Sequence, residues 1–128
     1  MSAEPPRIVV IEDDPDVYEL LDTILQQKQY NVKLARNGLD GLRLVKDFKP
    51  HLVVLDLMIP RMDGFKVLES IRSMDAEPKV KVLVLTALGQ VAYVDKALAL
   101  GADAYVTKPF EMHRFLGKVQ ALLANGQA

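Results

Sequence analysis

The chain contains no cysteine, which excludes disulfide bonds and thiolate metal sites. Its net charge is only −1, and its lysines and arginines are scattered, so it lacks the basic surface that direct nucleic-acid binding requires. No apolar run approaches the ~20 residues of a membrane-spanning helix, and no signal peptide is recognisable at the N-terminus. These absences predict a cytoplasmic domain that binds neither nucleic acid nor membrane.

Apolar residues make up 50% of the 128 positions, enough for one hydrophobic core. We expect a single domain over residues 1–128, with an ordered core over about 6–124. Short β-branched runs alternate with segments of helical apolar spacing, which predicts an α/β fold with a parallel sheet covered on both faces. The predicted strands are Ile8–Ile11, Asn31–Ala35, a third that ends at Asp56, Lys79–Leu85 and Asp103–Thr107.

Five helices are predicted between and after these strands. The first has Asp14 as its cap and Pro15 at its first position, and an inward stripe that includes Leu20. Gly38 and Gly41 in the second helix each cost about 1 kcal/mol relative to alanine, so we expect that helix to lie close to the sheet. The others are a helix capped by Asp63, Gln90–Leu100 stopped by Gly101, and Glu111–Ala124 stopped by Asn125-Gly126.

Four predicted strands are followed by polar groups that phosphoryl chemistry can use. These groups are Glu12-Asp13-Asp14, Asp56, Thr86-Ala87 and Thr107-Lys108-Pro109. Because parallel strands end at the same edge of a sheet, we expect these groups to share one crevice. Two carboxylates ~5 Å apart repel by roughly 3 kcal/mol at an effective dielectric constant of about 20, and a bound cation would remove that repulsion.

Four stretches, in order along the chain, resemble motifs of the receiver domain of two-component response regulators. They read IVVIEDDPDV, HLVVLDLMIPRMDG, VLVLTALG and GADAYVTKPF, and together the resemblance covers essentially the whole chain. It implies a flavodoxin-like (βα)5 fold with strand order 2-1-3-4-5. It also implies a signalling phosphoacceptor rather than an enzyme, catalysing only its own phosphorylation and slow autodephosphorylation. The donor would be a histidine kinase or phosphotransfer protein, and the output a downstream effector domain or protein.

The resemblance assigns roles to the acidic residues. Asp56 matches the phosphoacceptor, and Asp13 and Asp56 match direct ligands of Mg²⁺, for which Mn²⁺ is a possible substitute. The backbone carbonyl of Met58 would complete the protein ligands, and Glu12 would act through a water. Oxygen ligands around a hard cation that keeps several waters are typical of Mg²⁺.

The resemblance also assigns the groups that contact and sense the phosphoryl group. Lys108 and Thr86, with the backbone amide of Ala87, would contact phosphoryl oxygens. Thr86 and Tyr105 would form the switch, and the bond before Pro109 is expected to be cis. Met58 and Leu88 are apolar at positions that shape water access in the family, which predicts slow self-dephosphorylation.

The fourth predicted helix carries two apolar stripes. We expect one to face the sheet, while the other either docks a partner or a second copy through the helix 4–strand 5–helix 5 surface, or is an ordinary helix contact. The sheet-facing stripe is Val91, Val94 and Leu98, and the second is Tyr93, Ala97 and Leu100. Ala104 and Arg114 replace the acids through which the winged-helix branch of the family pairs, which argues against a dimer of that type.

Other readings of the same residues remain open to different degrees. A degenerate receiver that only docks partners is disfavoured because the set of acids, threonine and lysine is complete. An aspartyl-phosphate hydrolase needs a second Asp two residues after the nucleophile, where this chain has Met58. A nucleotide- or flavin-binding module lacks its glycine-rich motif. His51 and His113 are assigned no site.

Overall fold

The computed structural model describes residues 4–74 and 79–126, with side chains through residue 124. Its sheet has five parallel strands in the order β2-β1-β3-β4-β5, which confirms the predicted topology. Apart from Arg7 and Lys81 at their starts, the three central strands are buried and almost wholly apolar because helices cover both faces. The strands are β1 (Arg7–Ile11), β2 (Asn31–Ala35), β3 (Leu52–Leu55), β4 (Lys81–Thr86) and β5 (Ala104–Thr107).

The five helices divide between the two faces of the sheet. They are α1 (Pro15–Gln27), α2 (Gly38–Phe48), α3 (Gly64–Ser73), α4 (Val91–Ala99) and α5 (Met112–Gly126). One core cluster joins α1 and α5 to the sheet, and the other joins α2, α3 and α4 to its opposite face. Among the helices of the described ranges, none is both long and apolar enough to cross a membrane.

Side-chain caps fix where three helices begin at the carboxyl edge of the sheet. Asp14 accepts a hydrogen bond from the amide of Asp16 at 2.9 Å, as its predicted capping role requires. Asn37 caps α2, and Asp63 caps α3 through the amide of Phe65 at 2.8 Å. These caps satisfy amides at the helix starts, so each βα loop turns at a defined residue.

Glycines allow close approach where α2 and α3 begin. A Cβ at Gly41 would lie less than 3.0 Å from Ile11 of β1, which confirms the predicted contact of α2 with the sheet. Gly38 instead faces Met62 and Val67, so this glycine accommodates α3 and the loop before it. Gly64 packs against the backbone of Leu57 at a similarly short distance.

The predicted orientation of α4 is wrong. Val91 is 72% exposed and Leu98 is 47% exposed, whereas Ala97 is fully buried. Leu100 packs on the core cluster below α4, and the ring of Tyr93 stacks on Phe65 with centroids 6.2 Å apart. The small side chain of Ala97 lets the helix lie close to the sheet, so the stripe assigned to partner docking is the inward one.

Four smaller expectations also change. Leu20 is 45% exposed, because the buried face of α1 includes Leu21, Ile24 and Leu25 but not the whole predicted apolar stripe. Strand β4 begins at Lys81 and includes Thr86, which pairs with Thr107 of β5. Helix α5 spans Met112–Gly126 and so runs past its predicted end at Ala124. Helix α4 ends at Ala99, two residues before Gly101, whose φ of 107° is the left-handed conformation expected of a helix stop.

Candidate functional site

Strand register places two acids side by side at the carboxyl edge of the sheet. Ile11 of β1 pairs with Leu55 of β3, and the next residues are Glu12 and Asp56. The amide of Asp56 donates to the carbonyl of Ile11 at 3.0 Å, which holds the two chains together at this point. Glu12 is 1% exposed and Asp56 is 5% exposed, so both carboxyl groups lie largely out of water.

Three carboxyl groups converge at this edge. Glu12, Asp13 and Asp56 each offer an oxygen atom, and these atoms lie within 4.8 Å of one another. Asp13 is exposed, so the cluster opens to solvent on that side. Burial raises the pKa of Glu12 above its ordinary value, and the charge of Asp56 adds to the effect against the opposing hydrogen bonds from Lys108 and the amide of Asp14.

Lys108 lies between two of these acids. Its Nζ donates to Oε1 of Glu12 at 2.7 Å and to Oδ2 of Asp56 at 2.9 Å. Burial by itself lowers the pKa of Lys108, but the hydrogen bonds to Glu12 and then Asp56 outweigh it, so the pKa is raised. The Lys108–Pro109 bond is cis. The direct hydrogen bond from Lys108 to Glu12 was not predicted from the sequence. The presence of a single lysine among the acids at the strand ends was the sequence feature that could have indicated it.

The loop after β3 contacts Asp56 through its backbone. The amide of Met58 donates to Oδ1 of Asp56 at 3.0 Å, which fixes the orientation of the carboxyl group. The Met58 side chain is 56% exposed and so lies at the rim of the site. The Met58 carbonyl stays a predicted metal ligand.

Thr86 and Tyr105 both contact Leu88 in the loop after β4. Thr86 is fully buried, and its Oγ1 accepts a hydrogen bond from the amide of Leu88 at 3.4 Å. The hydroxyl of Tyr105 donates to the carbonyl of Leu88. Burial raises the pKa of Tyr105, with smaller contributions from the charges of Asp56 and Tyr93. Leu88 therefore links the two predicted switch residues, Thr86 and Tyr105. Ala87, which lies between Thr86 and Leu88 in the sequence, is exposed.

The charge and chemistry of the cluster fit a divalent metal ion. Three carboxylates face one ammonium group, so the ionised cluster has two negative charges in excess. Its donors are hard oxygen atoms, which Mg²⁺ prefers. The cluster of Glu12, Asp13 and Asp56 is thus a candidate metal site.

Comparison with known proteins identifies the family of this chain. A family model described as "Response regulator receiver domain" matches residues 8–120. The chain belongs to this family. It is a receiver domain of a two-component response regulator, and the parallel sheet with order 2-1-3-4-5 is the flavodoxin-like fold of such domains.

Curated relatives and solved structures agree with this membership. The DNA-binding dual master transcriptional regulator RpaA of Synechocystis is 41% identical over 92% of this chain and 49% of its own length. The response regulator MprA of a Mycobacterium species is 40% identical over 93% of this chain and 51% of its own. The chain therefore spans about half the length of these relatives.

Two receiver structures show the same architecture. The BeF3-activated DrrB receiver domain is 33% identical, covers 94% of this chain and 98% of its own, and superposes with a TM-score of 0.84. The non-phosphorylated HemR receiver domain of Leptospira biflexa is 32% identical. It covers 92% of this chain and 94% of its own, and has the same TM-score of 0.84.

Proposed function

We propose that Asp56 accepts a phosphoryl group from a phosphohistidine of a histidine kinase or phosphotransfer protein. The observation that carries the proposal is the bond of Lys108 to Asp56 and Glu12 within a cluster of three carboxyl groups. Asp56 lies at the end of the central strand β3 with its carboxyl group oriented by the Met58 amide. Membership of the receiver family supports the same role.

In the proposed reaction, an oxygen of Asp56 attacks phosphorus and the bond from phosphorus to the donor imidazole nitrogen breaks. The products are an aspartyl phosphate and the partner's free imidazole, whose nitrogen keeps the bonding pair and takes its proton from solvent. Lys108 already lies on Oδ2 of Asp56, where it can neutralise charge on the transferred oxygens. The protein thus contributes positioning and charge stabilisation, as expected for phosphoryl transfer.

Asp13 and Asp56 would hold Mg²⁺ directly, with the Met58 carbonyl, and Glu12 would contribute through a water. The ion would neutralise the excess negative charge of the cluster and screen the incoming phosphoryl oxygens. Mn²⁺ has the same preference for oxygen ligands and is expected to substitute. The bond of Glu12 to Lys108 supports an indirect role for this acid, because one of its oxygens is already engaged.

Phosphorylation would act on partners through Thr86, the Ala87 amide and Tyr105. Rotation of the Thr86 hydroxyl towards the phosphoryl group would move its oxygen away from the Leu88 amide that donates to it, and the Leu88 carbonyl also accepts a hydrogen bond from Tyr105. The change would reach the surface of α4, β5 and α5, where Val91 and Leu98 are exposed apolar residues. This surface would bind an effector or a second copy in the cytoplasm. Loss of phosphorylation-dependent association in Leu98→Ala, measured by sedimentation, would support this assignment, and unchanged association would refute it.

The phosphoacceptor role is tested by labelling with a small phosphodonor in the presence of Mg²⁺. We expect the wild type to be labelled and Asp56→Asn to remain unlabelled. Asp63→Asn is a matched control, because asparagine also caps a helix and Asp63 lies outside the cluster. Equal labelling of wild type and Asp56→Asn would refute the assignment, and omission of Mg²⁺ should abolish labelling.

A further inference from the structure

Met58 places an apolar and exposed side chain at the rim of a polar site. The residue follows Asp56 by two positions, next to the cluster of three carboxyl groups. Its amide donates to Oδ1 of Asp56 at 3.0 Å, whereas Lys108 donates to Oδ2. The backbone of Met58 is therefore held against the candidate phosphoacceptor, while its side chain is 56% exposed.

The methionines of the described ranges differ in their exposure. Met62 and Met74 are partly buried and pack against the core cluster that joins α2, α3 and α4 to the sheet. Met112 is 43% exposed at the start of α5. Met58 is the most exposed of these residues, and it also contacts Asp56 through its amide. A dissolved oxidant can reach its sulfur without any unfolding of the domain.

Oxidation of Met58 would make the rim polar in one step. A thioether is apolar and only a weak hydrogen-bond acceptor, whereas a methionine sulfoxide is polar. Because the Met58 side chain is exposed, this change disturbs no core packing, unlike oxidation of Met62 or Met74. It also leaves the hydrogen bond from the Met58 amide to Asp56 in place. The effect is therefore confined to the mouth of the site.

We propose that Met58 is an oxidation site at which peroxides shorten the lifetime of the phosphoryl group on Asp56. In the reaction with hydrogen peroxide, a lone pair of the sulfur attacks one oxygen, so that a sulfur–oxygen bond forms as the oxygen–oxygen bond breaks. The departing hydroxide takes the proton of the transferred oxygen and leaves as water. Sulfur is thereby oxidised to the sulfoxide and peroxide is reduced. The proposal rests on the phosphoacceptor role of Asp56 and adds a chemical signal that ends the phosphorylated state.

The effect on lifetime follows from the polarity of the rim. Hydrolysis of an aspartyl phosphate requires a water molecule at phosphorus. The thioether holds such a water poorly, whereas the sulfoxide oxygen accepts a hydrogen bond from it and retains it near the phosphoryl group. Leu88, the other apolar residue of the site, packs against the core and has no atom that peroxide oxidises. Met58 is therefore the residue through which an oxidant acts on this site.

The first measurement maps oxidation on the unphosphorylated protein. The protein is treated with dilute hydrogen peroxide in the absence of divalent ions, and mass spectrometry of peptides follows the gain of an oxygen atom at each methionine. We expect Met58 and Met112 to react before Met62 and Met74, because the reaction follows exposure of the sulfur. Oxidation of Met62 or Met74 ahead of Met58 would overturn the proposal.

The second measurement follows loss of label from Asp56 in protein that is oxidised, freed of peroxide and then phosphorylated. In Met112→Leu, Met58 is the one exposed methionine of the described residues. We expect oxidation of this variant to speed loss of label several-fold. Treatment with the two methionine sulfoxide reductases, one for each sulfoxide epimer, should restore the slower rate.

Met58→Leu is the matched variant, because leucine is apolar and forms no sulfoxide. Its rate of label loss should be the same before and after treatment with peroxide. A peroxide response that persists in Met58→Leu would overturn the proposal. Circular dichroism of the oxidised Met112→Leu protein should match that of the reduced protein, because the Met58 side chain is exposed, and a loss of structure would count equally against it.

Failure of this proposal and failure of the phosphoacceptor role give different results. A reduced wild type that takes no label on Asp56 would refute both. Label on Asp56 that is lost at the same rate with and without the sulfoxide at Met58 would refute the oxidation site alone.

Discussion

At the scale of single residues, Lys108 is the centre of the site. It neutralises part of the charge of Glu12 and Asp56, at distances of 2.7 and 2.9 Å, and so would compete with a metal ion for the same carboxyl groups. Its side chain retains some exposure, which moderates the energy of these ion pairs. We therefore expect the lysine to stabilise the metal-free domain and to weaken metal binding.

Replacing Lys108 with methionine should reveal both effects. In the absence of divalent ions we expect a loss of about 1–3 kcal/mol in unfolding free energy, below the ~3–5 kcal/mol of a fully buried broken pair. Added Mg²⁺ should then raise the melting temperature more in Lys108→Met than in wild type, because the ion binds the freed carboxylates. Lys46→Met, at an exposed position of α2, is the control; an equal Mg²⁺ shift in all three proteins would contradict the account.

Met58 is expected to limit access of water to the aspartyl phosphate. Its side chain is 56% exposed at the rim, and Leu88 on the other side of the site is partly buried in the core. Met58→Asn should increase the rate of self-dephosphorylation several-fold, because a polar group there can orient water. The measurement is loss of label from the purified phosphoprotein, and an unchanged rate would show that Met58 does not control access.

The residues of this site were predictable because each follows a recognisable strand. Glu12, Asp56 and Lys108 lie together as the pattern of strand ends indicates. Their individual bonds were not predictable, since a residue's place at a sheet edge does not tell which atoms it contacts. The bond from the Met58 amide to Asp56 and the contact of Tyr105 with Leu88 depend on loop conformation.

At the scale of elements, glycine contacts set how closely helices approach the strands and loops beneath them. A Cβ at Gly64 would contact the backbone of Leu57, which cannot move without shifting the loop after β3. Gly64→Ala should cost about 1–3 kcal/mol in unfolding free energy, measured by urea denaturation. Gly41→Ala should cost less, because its Cβ would meet the side chain of Ile11 and alanine gains about 1 kcal/mol in helix propensity. The reverse order would contradict this packing.

His51 joins β3 to β1 and gives the fold a pH dependence. Its Nδ1 accepts a hydrogen bond from the amide of Arg7 at 2.9 Å, which requires the neutral ring. Burial, and then the charge of Arg7, lowers the pKa of His51. The unfolded state therefore binds the proton more readily, so stability falls as pH decreases from about 6.5 towards the lower folded pKa.

His51→Asn should remove this part of the pH dependence, because an amide oxygen can still accept from Arg7 and does not titrate. The measurement is the unfolding free energy of both proteins between about pH 7.5 and pH 5. We expect wild type to lose more stability than the variant, by at most about 1.4 kcal/mol per pH unit. Identical curves would show that His51 is not the responsible group.

The elements were predictable from apolar spacing, with one informative exception. The existence of all five strands and five helices followed from the alternation of strand and helix patterns, whereas the strand order followed from the resemblance to receiver domains. The face of α4 did not, because Val91, Leu98 and Ala97 give two apolar stripes of similar weight. In the structure, the stripe that contains the small Ala97 faces the sheet. The ammonium group of Lys96 lies over the ring of Phe65, 4.3 Å from its centroid. Sequence spacing alone does not contain that choice.

At the scale of the whole molecule, the candidate site and the exposed apolar residues of α4 lie on separate parts of the surface. The sheet edge holds the acids and Lys108, and α4 exposes Val91 and Leu98. The chain spans about half the length of the relatives RpaA and MprA. Phosphoryl transfer to Asp56 is the event that we expect to connect the sheet edge to the surface of α4.

The most direct test of this account locates the phosphoryl group on the chain. After reaction with a small phosphodonor and Mg²⁺, borohydride reduction converts an aspartyl phosphate to homoserine, which mass spectrometry of peptides can assign to a position. We predict homoserine at position 56 alone, and none when Mg²⁺ is removed by chelation. Modification at another aspartate with Asp56 intact would contradict the central claim.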